Sequence, residues 1–231
     1  MKNGRHLSFD LWNTLISPNP AYTEARTKYL GDISRNDDLG MVAKDYTSLK
    51  RRLDRRAEMQ GEAVSTPDVF KLLACQIFPT ESDLVRASAP KIIMEAFKAM
   101  FRAHPPIVLP ETISMLKNLS AQGYTLSIGS NTNFISGETL MDDLISKWGI
   151  DWKYTLFSDQ ELASKPSKDF FDEVLIQSGV PAVHVTHIGD NVICDGGANK
   201  FGMNSFLIMD PKQLVTHIES LIYLHKKQDE Q

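Results

Sequence analysis

Five short apolar runs, most of them separated by helical patterns, constrain this 231-residue chain more than any other feature. They are Leu7-Ser8-Phe9, Thr125-Leu126-Ser127-Ile128, Tyr154-Thr155-Leu156-Phe157, His184-Val185-Thr186-His187-Ile188 and Ser205-Phe206-Leu207-Ile208-Met209. Between them, Ile113, Leu116 and Leu119 recur at helical spacing before Gly123, and Phe170, Phe171, Val174 and Leu175 form a stripe that ends at Gly179 and Pro181. Strands alternating with helices at this interval predict βαβ units, hence an α/β chain with a parallel sheet. In such sheets the ligand binds beyond the carboxyl ends of the strands, so the chemistry is expected just after each run.

The first two runs are separated by a long stretch that breaks the alternation. From Ala21 to Arg102 the pattern is helical throughout, flanked by Ser17-Pro18-Asn19-Pro20 and His104-Pro105-Pro106. Clustered prolines disfavour helix and mark boundaries. The expected organisation is a core from residues 1–16 and 105–231, with a helical domain inserted over 17–104. Hydrophobic residues at 42% and charged residues at 23% suit a soluble globular chain, and the charge of −4 offers no field to collect nucleic acid. No apolar run approaches a membrane span, no secretory signal is recognisable, and a cytoplasmic location is the expectation. Cys75 and Cys194 are far apart and lack metal-ligand spacing, so reduced thiols are expected. The polar tail from Lys226 to Gln231 is expected to fray.

Four strand ends hold distinct polar groups: Asp10-Leu11-Trp12-Asn13-Thr14-Leu15, then Ser130-Asn131, then Lys165-Pro166, then Gly189-Asp190-Asn191-Val192-Ile193-Cys194-Asp195. A carboxylate nucleophile, a hydroxyl, a lysine and two acids converging at one sheet edge could handle a phosphoryl dianion. Taken singly, Thr14, Ser130 and Asn131 read equally well as turn formers or caps, and Lys165 as a surface lysine with Lys168 as a rival. Their order along the chain weighs towards function.

In that order, Asp-x-x-x-Thr-Leu, Ser-Asn, Lys-Pro and Gly-Asp-x-x-x-x-Asp resemble the four motifs of the haloacid dehalogenase superfamily. The match spans both ends of the chain, and the helical insert is similar to the family's mobile cap. The resemblance implies a Rossmann-like core with strand order 5-4-1-2-3. It further implies that Asp10 is the nucleophile, forming an aspartyl-phosphate that water hydrolyses. Mg²⁺ would lie between the carboxylates of Asp10 and Asp190 and the backbone carbonyl of Trp12, with Asp195 nearby. Ser130 and the amide at Asn131 would hold a phosphoryl oxygen, Lys165 would neutralise charge, and Thr14 would brace the first loop. The implied activity is that of a Mg²⁺-dependent phosphatase for a small phosphorylated metabolite.

Trp12 departs from the pattern. Phosphatases of the family have a second Asp there, which protonates the leaving alcohol, and an indole cannot exchange a proton at useful pH. Losing general acid–base help costs about 10²–10⁴ in rate. A substrate with a good leaving group, such as an aryl or acyl phosphate, would need little such help. Alternatively the insert supplies the proton, with His104, Glu24 and Tyr22 as candidates, or the chain binds a phosphoryl ligand without turnover. Dehalogenases of the family have an aromatic Tyr at this position, but they replace the Gly-Asp pair that is intact here as Gly189-Asp190. Of the remaining features, Lys50 to Arg56 reads as a solvated helix face, His184 and His187 as packing residues, Trp148 and Trp152 as packing beneath the sheet edge, and Cys194 as filler.

Overall fold

The computed structural model describes residues 4–79 and 82–229. Thr80 and Glu81, inside the stretch expected to be helical, and Glu230 and Gln231 of the polar tail lie outside the described residues. Five parallel strands form one sheet: β1 (His6–Phe9), β2 (Thr125–Ser130), β3 (Tyr154–Phe157), β4 (Val185–Gly189) and β5 (Asn204–Leu207). Their order, β3-β2-β1-β4-β5, is the expected 5-4-1-2-3 read from the other edge. β1 is central, so the loop that follows it opens between two neighbours. The fourth strand starts one residue later than expected, because Ala182–His184 form a 3-10 turn and His184 stands outside the sheet.

The two sheet faces differ in chemistry. Leu7 and Phe9 of β1, Leu126 and Ile128 of β2 and Ile188 of β4 share one face and pack into the largest apolar core. That core is completed by α5 (Pro110–Ala121) through Leu116 and Leu119, and by α9 (Leu214–Asp229) through Ile218 and Ile222. Trp148 is buried in it and Trp152 packs against it. α9 extends through Lys226 and Lys227, so that part of the tail is helical rather than frayed. The opposite face is covered by α8 (Lys168–Ser178), whose Phe170, Phe171 and Val174 pack with Leu156 and Val185. Beneath α8 the period-2 alternation brings His6, Ser8, Ser127 and His187 together, all fully buried.

Four helices lie between β1 and β2: α1 (Pro20–Ser34), α2 (Leu39–Gln60), α3 (Thr66–Ile77) and α4 (Asp83–Ala103). They enclose a further apolar cluster, centred on Phe70 and Phe97, which also takes in Phe134 from the loop after β2. Their two connections to the sheet run side by side. Ser17 and Ile107 exchange backbone hydrogen bonds of 2.9 Å, and the Asn19 side chain donates to the Pro105 carbonyl at 2.9 Å. In the remainder of the sheet layer, α6 (Gly137–Asp143) follows β2 and the single turn α7 (Ser158–Glu161) follows β3. No described helix is long and apolar enough to cross a membrane.

Candidate active site

Asp10 is the first residue beyond the central strand, and its amide donates to the Ile188 carbonyl at 2.7 Å. The chain then doubles back: the Asn13 amide donates to Ile16 at 2.8 Å and the Leu15 amide to Leu11 at 2.9 Å. Asn13 takes φ 57°, a left-handed conformation that Asn tolerates better than most residues. Trp12, half-buried, lies in the elbow of this turn.

Lys165 comes from the loop between α7 and α8 and is buried. Asn131, just past β2, pins its backbone from both sides: the Lys165 amide donates to Asn131 Oδ1 at 2.9 Å, and Asn131 Nδ2 donates to the Lys165 carbonyl at 3.0 Å. Lys165 Nζ then donates to Asp10 Oδ1 at 2.7 Å and to Asp195 Oδ1 at 2.6 Å. Lys168, the rival lysine, is exposed and pairs with Asp172 one helical turn away.

Asp195 reaches Lys165 because its loop folds back tightly. Its Oδ2 accepts from the Asn191 amide at 2.8 Å, and Asn191 Oδ1 in turn accepts from the amides of Ile193 and Cys194 at 2.8 and 2.9 Å. Gly189 is required here, since a Cβ on it would lie 2.1 Å from Asp195 Cγ. Gly197 is required for the same kind of reason, its Cβ position being 2.6 Å from Pro166 Cβ. One carboxylate oxygen each from Asp10, Asp190 and Asp195 lies within 4.8 Å of the others.

Burial dominates the electrostatics. Desolvation alone would neutralise Lys165, but the Asp10 and Asp195 carboxylates overcome it and hold its ammonium pKa above the ordinary lysine value. Desolvation raises Asp10, with Lys165 opposing and Asp195 reinforcing the shift. Asp190 is raised by burial and by Asp195. Asp195 resists its own burial because Lys165 and His187 both favour its anion, and its pKa falls below the usual carboxylate range.

A cavity of ≈ 180 Å³ joins Asp10, Trp12, Asn131, Lys165, Asp190 and Asp195. Ser130 and Thr14 do not line it; both lie buried beside it, with hydroxyls that have no hydrogen-bond partner among the described residues. Cys194 is more than filler, for it lines the cavity and lies 3.7 Å from Asn131 Nδ2. Burial pushes its thiol up to about 12, so it stays protonated and unreactive.

Two groups of site residues escaped the sequence reading. His187, read there as a packing residue, supports the site from below: its Nε2 is 3.0 Å from Asp195 Oδ1 and 3.4 Å from Lys165 Nζ, while Nδ1 is 3.0 Å from Ser8 Oγ. The shorter carboxylate contact assigns the proton to Nε2, leaving Nδ1 to accept the Ser8 hydroxyl. The β1–β4 register pairs His187 with Ser8 and so sets them on one face, and that register is not written in either strand alone. The second group is on α2, where Lys50, Asp54 and Glu58 line the cavity from above. Lys50 therefore faces the site rather than solvent alone. Of the three proton donors suggested from sequence, His104 and Tyr22 line a neighbouring cavity and Glu24 is exposed and lines neither.

A family model for haloacid dehalogenase-like hydrolases matches residues 5–200. The chain belongs to this family. Among solved structures, this haloacid dehalogenase-like hydrolase is similar to the HAD hydrolase YfnB from Bacillus subtilis bound to magnesium, with a TM-score of 0.68 at 17% identity over 91% of this chain and 96% of that one. It is also similar to a 2-haloacid dehalogenase from Pseudomonas syringae pv. Tomato DC3000, with a TM-score of 0.63 at 19% identity over 94% and 99% of the two chains. The L-2-haloacid dehalogenase RSc1362 aligns with a TM-score of 0.63 at 18% identity over 93% and 98%. At these identities the likeness is one of fold. No curated protein sequence matches the chain.

Proposed function

We propose that this hydrolase is a Mg²⁺-dependent phosphatase of a small phosphorylated metabolite, with Asp10 as nucleophile. The observation that supports it best is the charge balance at the end of β1. Three carboxylates converge within 4.8 Å around a single buried ammonium. Fully ionised, they leave negative charge unmatched, and their hard oxygen donors fit Mg²⁺. Asp10, Asp190 and the Trp12 carbonyl would hold the ion, with Asp195 next to it, and its chemistry would be to neutralise the phosphoryl oxygens.

The chain's own groups do the rest. Lys165 keeps Asp10 oriented and lowers the cost of bringing an anion to it. The amide of Asn131, on the cavity wall, suits a phosphoryl oxygen, and the buried, unpartnered hydroxyls of Ser130 and Thr14 would have to turn into the cavity to join it. Attack by Asp10 at phosphorus gives an aspartyl-phosphate, which water cleaves to regenerate the carboxylate.

Phosphate release from 4-nitrophenyl phosphate tests this reading: it should need Mg²⁺ and vanish in Asp10→Asn. The second reading is dehalogenation, favoured by aromatic Trp12 and by the fold shared with haloacid dehalogenases. Chloride release from 2-chloropropionate without metal, alongside no phosphate release, would replace the first reading with the second. Absence of either turnover, with retained binding of inorganic phosphate, would instead mark a phospholigand-binding protein.

A further inference from the structure

A second cavity, of ≈ 260 Å³, adjoins the catalytic one. Trp12, Asn13, Lys50, Asp54, Asn131 and Asn133 line both, so the two chambers share a wall of side chains between the insert and the sheet. The second chamber differs in character. Tyr22, Tyr46, Phe101 and Phe134 make it aromatic, and its volume exceeds the roughly 150 Å³ that admits benzene.

Two cations line it, Lys50 on the shared wall, paired with Asp54 at 2.6 Å, and Arg26 among the rings. The Arg26 guanidinium lies 3.7 Å from the centroid of Tyr46 and 5.8 Å from that of Tyr22. Arg26 Nε and the Tyr22 hydroxyl are both buried and have no hydrogen-bond partner among the described residues. They are four apart on α1, on one face of the helix. The carboxylate on the chamber wall does not answer them, because Asp54 already accepts from Lys50 at 2.6 Å and from Asn133 at 3.0 Å. Burial holds the Tyr22 hydroxyl protonated, so it is a standing donor. Buried donors in an aromatic chamber are complementary to a flat ligand that brings its own anion.

Trp12 connects this chamber to the chemistry. It takes the place of an acid, and a site without one is best matched by a leaving group that departs as a stable anion. A phenol, with a pKa near ~10, does so far more readily than an alkyl alcohol. Resting on the phosphatase reading above, we propose that the second chamber receives the leaving group and that the substrate class is an aryl phosphate whose ring bears a carboxylate, recognised by Arg26 and Tyr22. Asp10 forms its bond to phosphorus as the P–O(aryl) bond breaks, and the phenolate departs with the bonding pair. Water then cleaves the aspartyl-phosphate, and the proton it sheds balances the one taken up by the phenolate. The net change is ester plus water to phenol plus inorganic phosphate.

Two measurements test this. In calorimetry with Mg²⁺ present, 4-hydroxybenzoate should bind the wild type about tenfold or more tightly than phenol. Arg26→Met should erase that difference, and Arg26→Lys should keep part of it. In turnover, 4-carboxyphenyl phosphate should exceed phenyl phosphate in kcat/KM by a similar factor, and both should exceed glycerol phosphate. The wild-type comparisons require no variant to fold. Phosphate release without preference for the carboxylated ring, or equal binding of phenol and 4-hydroxybenzoate, overturns the substrate assignment while leaving the phosphatase reading standing. Arg26-dependent binding of 4-hydroxybenzoate with no phosphate ester turned over overturns both the substrate assignment and the phosphatase reading, and leaves only a carboxylate-binding chamber.

Discussion

At the scale of single residues, Lys165 is the group on which the site depends most. Its side chain is 2% exposed and touches two carboxylates, of which Asp195 is 1% exposed. Truncating one member of a buried ionic cluster leaves the others uncompensated, at a cost of about 3–5 kcal/mol. Lys165→Met should therefore lower the unfolding free energy by roughly that amount in urea titration, as well as abolish turnover. A loss confined to activity would mean that solvent reaches the two acids and that the cluster is less buried than the geometry says. Trp12 tests the opposite property. On the phosphatase reading, Trp12→Asp places a proton donor two residues after Asp10, and hydrolysis of an alkyl phosphate such as glycerol phosphate should rise by about 10²–10⁴. Aryl phosphates should gain far less, because their leaving group needs little protonation. Equal gains for both would show that protonation is not what Trp12 withholds.

At the scale of elements, the sheet and the four motifs were legible because each rests on local chemistry: an apolar run, a breaker, and a polar group at the strand end. Asp10, Lys165, Asp190 and Asp195 stand together in the cavity for that reason. What escaped depends on contacts remote in sequence. The α2 residues Asp54 and Glu58 meet Asn133 and Asn191 at 3.0 Å, and no periodicity within α2 announces partners so far away. The polar face under α8 escaped for another reason, since β1 and β4 read simply as buried strands. His6 shows what that face entails. It lies 2.8 Å from the hydroxyls of Thr125 and Ser127, and its pKa is lowered to about 4 by desolvation, by Lys153 and by His187. With the folded pKa below the unfolded value of 6.5, the unfolded chain binds the extra proton. Stability is thus intact above pH 6.5 and falls as pH drops from 6.5 towards 4. At pH 5 the loss from this residue is about 2 kcal/mol. His6→Gln should lower stability at pH 7 yet flatten its decline between pH 7 and 5, as followed by urea midpoints. A parallel decline in both proteins would place the responsible titration elsewhere.

At the scale of the whole molecule, the helical insert meets the sheet layer through polar contacts around the cavity at Asp10 and through the ring of Phe134. Thr66 Oγ1, at the start of α3, lies 3.1 Å from both the Asn133 carbonyl and Asp159 Oδ2, and its single proton is shared between the two acceptors. Asp159 also accepts from the Thr132 hydroxyl and from the Gly137 amide, so one carboxylate joins α3 to the loops after β2 and β3. On the far side of the cavity the Ser164 amide donates to the Gly61 carbonyl at 2.9 Å, one residue before Lys165. An apolar contact also joins them: Phe134, from the loop after β2, is buried among Tyr46, Phe70 and Phe97 of the helices, while most of each apolar cluster lies within one part. Opening of the insert should therefore cost much less than unfolding of either part. Thr66→Val keeps the side-chain shape and removes the donor, which shifts the closed state by about 1 kcal/mol, or about fivefold in population. Hydrogen exchange at the Ser164 amide, whose acceptor lies across the closure, should accelerate by that factor, while the β1 amides keep their protection. Uniform acceleration at both places would mean that insert and sheet unfold as one cooperative unit, and unchanged exchange at Ser164 would mean that Thr66 does not hold the closure.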